Sequence, residues 1–279
     1  MSTSVEHGAG PRDDPGAVQP LRRSPLYWAL ADALVLAKRN LLQIPRVPEL
    51  LIFATIQPVM FVLLFRYVFG GAIAVRGTSY VNYLMAGIFV QTVAFGSVTT
   101  GIGLAEDLHR GLIDRFRSLP MARSAVLTGR TLADLVRNMF VVVVMLLVGL
   151  LVGFRPEGNA LGWLAAAGLL LLLSFAMSWV AATIGLAVRS VEAAQSAGFI
   201  WLFPLTFASS AFVPTSSMPD GLRAFATHQP VTLIIDTVRA FFLGRPVGAE
   251  GWQALSWLVG IVAVFAPLAV TLYRRTTAR

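Results

Sequence analysis

Six apolar segments, each about as long as a helix must be to cross a lipid bilayer, limit how this chain can fold. A spanning helix requires about 20 predominantly apolar residues. The chain is 56% hydrophobic and only 13% charged, whereas about a quarter of the residues in a soluble domain are charged. This balance excludes a water-soluble globular protein, and the apolar content also excludes a disordered one. The sequence therefore predicts an all-α polytopic membrane protein with six transmembrane helices, at about residues 50–69, 80–104, 136–154, 161–188, 193–213 and 252–273.

Two of the six segments contain a proline. Gln57 and Pro58 interrupt the first segment, and Pro204 interrupts the fifth. Proline removes a backbone N–H and clashes with the preceding turn, so we expect a break in each helix at that point. The first segment also carries Arg66 near one end, from where a long side chain can reach the membrane surface.

The residues before the first segment divide into two parts. Residues 1–23 are rich in Gly, Pro, Ser and charge, and they predict a disordered cytoplasmic tail. Ser24 and Pro25 resemble an N-cap and first helical position, and the leucines that follow recur at helical spacing. Residues 24–49 therefore predict an amphipathic helix on the cytoplasmic membrane surface, with a helix packed against other protein as the alternative. Residues 50–279 form the predicted transmembrane domain.

The basic residues predict the orientation of the chain. With the N-terminus inside, the inner segments carry 16 of the 22 Lys and Arg residues and the outer segments carry 6. Cytoplasmic loops are enriched in Lys and Arg. We therefore expect a multi-pass protein of the cell membrane with both termini in the cytoplasm, and we attribute the net charge of +8 to contacts with lipid headgroups rather than with nucleic acid.

A further apolar stretch lies between the fifth and sixth spans. Residues 230–244 are too few to cross a bilayer. They predict a short re-entrant or interfacial helix on the outer face, and the alternative is a helix buried by packing against the rest of the protein.

The chain lacks the residue patterns of several catalytic and coupled-transport mechanisms. Its single lysine, Lys38, does not follow a glycine-rich turn, so a phosphate-binding loop for ATP hydrolysis is excluded. Cysteine is absent, and His7, His109 and His228 lack metal-ligand spacing, so we expect no metal site, cofactor or catalytic group. No acidic residue falls in the middle of a span, which disfavours an ion-coupled secondary transporter.

The polar groups expected inside the spans are neutral, and they alternate with aromatic side chains. A pathway lined in this way suits an amphipathic or aromatic substrate, although the same residues could simply pack helices together. The polar residues are Gln57, Gln91, Thr92, Ser97, Thr99, Ser174, Ser178, Thr183 and Thr206; the large apolar ones are Phe53, Met60, Phe61, Phe89, Phe95, Phe175, Trp179, Trp201 and Phe203.

The loop after the second span has the most distinctive pattern. Apolar residues recur at helical spacing from Leu104 to Leu119, and Glu106 lies four residues before Arg110, in the favourable order for an ion pair. Gly111 weakens the helix and Pro120 ends it. Such a helix is either a solvated surface element or a contact that transmits force to a soluble partner.

This loop and its surroundings resemble the type-2 ABC exporter permeases, and in particular the daunorubicin-resistance permease group. The resemblance covers nearly the whole chain beyond residue 40, and the chain departs from the family pattern at 85–87 (MAG, where Pro-Gly is usual) and at 227–230 (THQP, where an asparagine is usual). The matching stretches are 114–123 (DRFRSLPMAR), 129–134 (GRTLAD), 64–73 (LFRYVFGGAI), 154–158 (FRPEG) and 203–214 (FPLTFASSAFVP).

The resemblance implies a permease subunit without enzymatic activity of its own. It implies a homodimer of six-helix permeases bound to two copies of a separate ATP-binding subunit, which the N-terminal helix and the loop contact. It also implies export of hydrophobic or amphipathic drugs or antibiotics, with export of a lipid or polysaccharide as the alternative. The coupling residues implied in the same way are Glu106, Asp107, Arg110, Gly111, Asp114, Arg115 and Phe116.

Overall fold

The structure is a computed structural model that describes residues 48–75, 77–110 and 123–276. The predicted tail at 1–23, the predicted amphipathic helix at 24–49 apart from its last two residues, and four of the implied coupling residues lie outside this range. Those four are Gly111, Asp114, Arg115 and Phe116.

The described residues form helices and connecting loops, with no strand among them, which confirms the predicted all-α class. The first helix, α1, continues directly into a wider π-helical stretch at Leu64–Phe69. The helices are α1 (Pro48–Leu63), α2 (Tyr80–Gly96), α3 (Val98–His109), α4 (Arg123–Val152), α5 (Ala160–Ala187), α6 (Val191–Phe207), α7 (Asp220–His228), α8 (Pro230–Phe242) and α9 (Ala249–Thr276).

Four helical stretches in the described part are long and apolar enough to cross a bilayer. They are Tyr80–His109, Leu127–Val152, Ala160–Ala187 and Ala249–Arg275, and they correspond to the predicted second, third, fourth and sixth spans. Ala54–Phe69 is a shorter apolar helix, and α6 has 17 residues.

Several helix boundaries differ from the prediction. The helix α4 begins at Arg123 rather than near 136. The charged residues in its first half lower the hydropathy of this stretch, but they are paired with other groups of the protein and so can lie within the helix bundle.

The helix α1 runs through Pro58, and its hydrogen-bonding pattern changes only at Leu64. The helix α6 likewise runs through Pro204 and ends at Phe207. The breaks predicted at both prolines are therefore wrong, since a spanning helix tolerates proline when neighbouring groups satisfy the freed backbone.

The centre of the molecule is α2. Every residue from Tyr80 to Ala94 is buried, and the helix packs against α1, α4, α5, α6 and α8. By contrast, α4 and α9 lie at the periphery, where apolar side chains such as Phe140, Leu151 and Trp252 are uncovered by protein. These uncovered faces are the surfaces available to lipid or to another subunit.

The two ends of the bundle are distinguished by their contacts. At one end, which we call the Arg130 end, Leu104, Leu127, Leu186 and Tyr273 share a small apolar cluster that joins α3, α4, α5 and α9. At the other, which we call the Arg239 end, the starts of α2 and α5 meet α8 and the residues that follow α6.

Two helices touch through their backbones at the Arg130 end. A Cβ atom added to Gly101 of α3 would collide with the Ala181 carbonyl of α5, and one added to Gly185 of α5 would collide with the Gly101 carbonyl. Small residues allow this close approach of membrane helices.

The helix α8 is buried rather than lying on the surface. Pro230 is its first residue, and most of its side chains are covered by α2, α5 and α9. This burial is what the packing-helix alternative for residues 230–244 predicts.

Candidate functional site

The described part of the implied coupling segment lies at the Arg130 end, in the last turn of α3. Glu106 and Arg110 form the expected ion pair across one turn, and both side chains are largely exposed. Their exposure leaves them available to a partner and makes their mutual attraction weak.

Asp107 pairs with Arg130 of α4, a contact that the sequence did not indicate. The guanidinium of Arg130 also lies against Gly103, where any Cβ atom would collide with it. The residues on either side of the predicted coupling loop are thus tied together by a partly buried ion pair.

A second tie between α3 and α4 is a buried group of polar side chains, which we call the inner polar cluster. Asp134 accepts a hydrogen bond from the Thr100 hydroxyl and pairs with Arg137 at 2.9 Å. Asn138 donates to the Ser174 hydroxyl of α5 at 2.8 Å. Its members are Ser97 and Thr100 near the start of α3, Asp134, Arg137 and Asn138 on α4, and Ser174 and Ser178 on α5.

The inner polar cluster corrects one expectation. Asp134 and Arg137 lie within the candidate span Leu127–Val152, so the polar groups inside the spans are not all neutral. A buried ion pair persists only when hydrogen bonds satisfy both partners, and Thr100 and Gly96 supply these bonds. The polar residues 134, 137 and 138 fall on one face of a helix. A sequence prediction that extended the third helix towards residue 123 would have shown this pattern.

The helix in the second span is interrupted at Ser97, directly beside this cluster. The carbonyl of Gly96 accepts hydrogen bonds from the Thr99 hydroxyl at 2.7 Å and from Arg137 at 2.9 Å. The Ser97 hydroxyl donates to the Val93 carbonyl at 2.9 Å. A Cβ atom at Gly96 would collide with Asn138. The interruption is therefore held from outside by two side chains of α4.

An outer polar cluster occupies the Arg239 end. Arg239 of α8 donates to the Tyr83 carbonyl at 3.1 Å and to the Ser210 carbonyl at 2.7 Å, and it pairs with Asp236. Its guanidinium carbon lies 3.7 Å from the centre of the Tyr83 ring, within the range of a cation–π contact. Tyr83 in turn donates to the Ser210 carbonyl at 2.8 Å. One arginine thus joins α2, α8 and the residues after α6.

The pKa of the Asp236 carboxyl is shifted in this environment. Burial raises the pKa of the Asp236 carboxyl above its ordinary value of 3.8, while the charge of Arg239 and a hydrogen bond from Ser210 act in the opposite direction. The proximity of Glu250 raises the pKa further.

A cleft of about 680 Å³ opens beside the outer polar cluster. Its volume lies in the range of sites for drug-sized ligands. Its lining is mixed and includes Tyr83, Pro214, Thr237, Arg239, Arg245 and Glu250.

The aromatic side chains predicted to line a substrate pathway lie in different parts of the structure. Phe61, Phe95 and Phe203 belong to a continuous row of phenylalanine rings, whereas Phe89 packs with Phe154 and Phe242 in the core. Neighbouring centroids in the row are 4.4 to 6.1 Å apart, and Phe69, Phe203 and Phe207 are partly uncovered by protein. We call this set the phenylalanine row: Phe95 of α2, Phe199, Phe203 and Phe207 of α6, Phe212, Phe61 of α1, and Phe65 and Phe69 of the π-helix.

Within the described residues, no group of three or more His, Asp or Glu side chains is placed to hold a metal ion. The notable features are thus an inner polar cluster midway along the bundle, an outer polar cluster at the Arg239 end, an outer cleft and the phenylalanine row.

Comparison with known proteins gives these features a context. The family model described as "ABC-2 type transporter" matches residues 32–243. The chain is 34% identical over 240 residues to the daunorubicin resistance ABC transporter permease protein DrrB1 of Streptomyces coeruleorubidus, covering 86% of this chain and 85% of that protein. It is 28% identical over 284 residues to the probable doxorubicin resistance ABC transporter permease protein DrrC of Mycobacterium tuberculosis, covering 99% and 98%. A putative transport permease of Cyanophora paradoxa, ycf38, is 25% identical over 221 residues, covering 77% and 76%.

Proposed function

Because this chain belongs to the ABC-2 type transporter family, we propose that it is the membrane-spanning permease subunit of an ATP-driven exporter of aromatic, amphipathic drugs. The phenylalanine row is the observation that carries the substrate class. Planar aromatic molecules gain stacking and edge contacts against such rings, and three rings of the row are partly uncovered. The names of two relatives, which refer to daunorubicin and doxorubicin resistance, point to the same class.

ATP hydrolysis belongs to a separate subunit in this proposal. The chain's one lysine is not in a phosphate-binding loop, so two copies of an ATP-binding subunit would supply the energy. The segment that receives it is the end of α3 and the following loop, with Glu106, Asp107, Arg110, Gly111, Asp114, Arg115 and Phe116 as coupling residues. The exposure of the Glu106–Arg110 pair supports this role.

The proposed architecture is a homodimer in the cell membrane with six spans per chain and both termini in the cytoplasm. α1 with its π-helical extension and α6 would add two spans to the four long apolar helices. The Arg130 end then faces the cytoplasm and the Arg239 end faces outwards, as the distribution of basic residues favours.

Reconstitution tests the proposal. The permease would be purified with the ATP-binding subunit that accompanies it and placed in lipid vesicles, and doxorubicin fluorescence would report drug movement. We expect movement that requires ATP and stops with vanadate. Drug movement driven by a proton gradient without nucleotide, or ATP-driven movement of lipid with no movement of drug, would contradict it.

A further inference from the structure

The helices α3 and α4 form an antiparallel pair that is tied at two levels. Nearest the connecting loop, Asp107 of α3 pairs with Arg130 of α4. Deeper in the bundle, Thr100 of α3 donates to Asp134 of α4. The helix α3 packs mainly against α5 and α6 and meets α4 over a short length, so these two polar ties are direct links that position it relative to α4.

The pair ends at the interruption of the second span. There Arg137 makes two kinds of bond at once, an ion pair with Asp134 and a hydrogen bond to the Gly96 carbonyl. Both bonds come from one nitrogen of the guanidinium, Nη2, whose two N–H groups point in different directions in the guanidinium plane and serve the carboxylate and the carbonyl together. Arg137 therefore joins the α3–α4 pair to the last carbonyl of α2.

Beyond the interruption, α2 continues to the outer polar cluster. Tyr83, near its start, accepts a hydrogen bond from Arg239 through its carbonyl and donates one to Ser210 through its hydroxyl. A displacement of α2 along its axis would strain these bonds at the opposite end of the bundle.

We propose that Asp134 and Arg137 are positioning residues for energy coupling. They make α3 and the adjoining half of α4 move as one body when the ATP-binding subunit acts on the loop, and Arg137 passes that movement across Ser97 to α2. This inference rests on the proposed function for its energy source. It adds to the loop residues two positions within the bundle, the buried Asp134 and the partly buried Arg137.

The first experiment compares Arg137→Gln with wild type in the reconstituted complex. Glutamine removes the charge, and its side chain is two atoms too short to reach Asp134 and the Gly96 carbonyl together. We expect ATP hydrolysis within about twofold of wild type and doxorubicin transport at least tenfold lower, so that more ATP is consumed per drug moved. The matched control is Arg223→Gln, which disrupts another Asp–Arg pair of the same i, i+3 spacing on exposed α7, and it should leave both rates unchanged. Equal losses of hydrolysis and transport, or no loss of transport, would overturn the proposal.

A second experiment restores the tie by covalent means. The chain has no native cysteine, so Asp107→Cys and Arg130→Cys, which replace the partly exposed tie and leave Asp134 and Arg137 in place, can be combined and joined with a short bifunctional thiol reagent. Because the cross-link would hold α3 against α4 as the ion pair does, we expect transport that is low in the free double variant to rise at least threefold after cross-linking. Transport that stays low or falls further would mean that α3 and α4 must separate, which contradicts movement as one body.

A third measurement does not depend on the substrate. A cysteine at Glu250, which lines the outer cleft, is labelled with a thiol reagent with and without ATP and vanadate. We expect the nucleotide to change the labelling rate at least threefold in an otherwise wild-type chain and not in the Arg137→Gln background. A response that persists unchanged in that background overturns the proposal even if doxorubicin proves not to be a substrate.

Discussion

Arg239 is the residue on which the outer end of the bundle depends most. Its side chain is almost fully buried, and it holds two backbone carbonyls, one carboxylate and one aromatic ring in place. Removing Arg239 would leave the partly buried Asp236 carboxylate without its counter-charge and the two carbonyls without their donor, which destabilises this end of the bundle. The environment of Arg239 also includes Asp236, whose pKa is raised by burial, and this shift has a measurable effect on stability.

The Asp236 carboxyl should make stability depend on pH in a direction opposite to that of an ordinary paired aspartate. Its pKa in the folded protein lies above the ordinary value of 3.8, so the folded state binds this proton more tightly than the unfolded chain. The free energy of unfolding therefore falls as the pH rises from about 3.8 through the folded pKa. We expect the melting temperature of Asp236→Asn, relative to wild type, to increase between pH 4 and pH 7 in detergent. Asp220→Asn, at an exposed position, is the control, and a difference that does not change with pH would contradict this prediction.

The proposed coupling residues should differ in importance according to the contacts available to them. Phe116→Ala removes a large apolar surface, worth on the order of 1.5–3 kcal/mol if it is buried against a partner, a loss typical of interface hot spots. Glu106→Ala removes only an exposed ion pair with Arg110, worth about 0.3–0.5 kcal/mol. We expect Phe116→Ala to reach the membrane in normal amount but to retain little ATP-binding subunit on copurification, and Glu106→Ala to retain most of it. Normal transport by Phe116→Ala would show that the segment is a solvated helix.

At the scale of elements, the π-helical stretch and α6 together present one aromatic surface. Phe203 is 44% uncovered and belongs to the phenylalanine row, while Phe140 of α4 is 50% uncovered and lies outside it. Aromatic pairs contribute about 0.5–1.5 kcal/mol beyond area burial. We therefore expect Phe203→Ala to raise the KM for doxorubicin about 2- to 12-fold and Phe140→Ala to leave it unchanged. Equal effects of the two substitutions would assign the row to general packing.

Sequence periodicity was sufficient to find the long apolar helices but not α7, and it did not place the charged residues. The long apolar runs gave the spans at 161–188 and 252–273 closely, as α5 and α9. The start of α4 was missed, because hydropathy treats Arg130 and Asp134 as exposed, whereas both find partners on α3, which lies alongside. The Glu106–Arg110 pair was predictable because both partners belong to one helix, whereas the bond from Arg137 to Gly96 joins two helices.

At the scale of the whole molecule, hydropathy did not indicate which helix would be central. The stretch Tyr80–His109 has a mean hydropathy of 1.5 and is mostly buried, whereas Leu127–Val152 has 2.6 and is mostly uncovered. In a bilayer, lipid tails are as apolar as a protein core, so apolar side chains gain little by facing inwards. Polar side chains such as Asn82, Ser97 and Thr100 do gain partners by facing inwards. Hydropathy alone does not separate central from peripheral spans, since Ala160–Ala187 is mostly buried at 2.1 and Ala249–Arg275 is mostly uncovered at 2.2. Polar residues that need partners are the better sign of a central span.

The proposed orientation makes a prediction about the accessibility of both ends. Cysteines at Glu157 and Asp220, near the Arg239 end, should react with an impermeant thiol reagent added outside intact cells. Cysteines at Arg110 and Arg189 should react only after the membrane is opened. All four side chains are exposed, and the chain has no native cysteine, so labelling reports location directly. Labelling of Arg110→Cys in intact cells would overturn the orientation.

The contact of α3 with α5 through Gly101 and Gly185 has a consequence for the register of the two helices. Helices normally meet by fitting side-chain ridges into grooves, and a shift of one along the other must then lift each ridge over the next. Here backbone meets backbone, and a shift of α3 by one residue along α5 would bring a residue with a Cβ atom to the point where the Ala181 carbonyl leaves no room for one. Such a shift would also break the bonds from Ser97 and Thr100 to Ser174 and Ser178 of α5. The two glycines therefore let these helices meet in one register only, and an alanine at Gly101 would force them apart rather than let them slip.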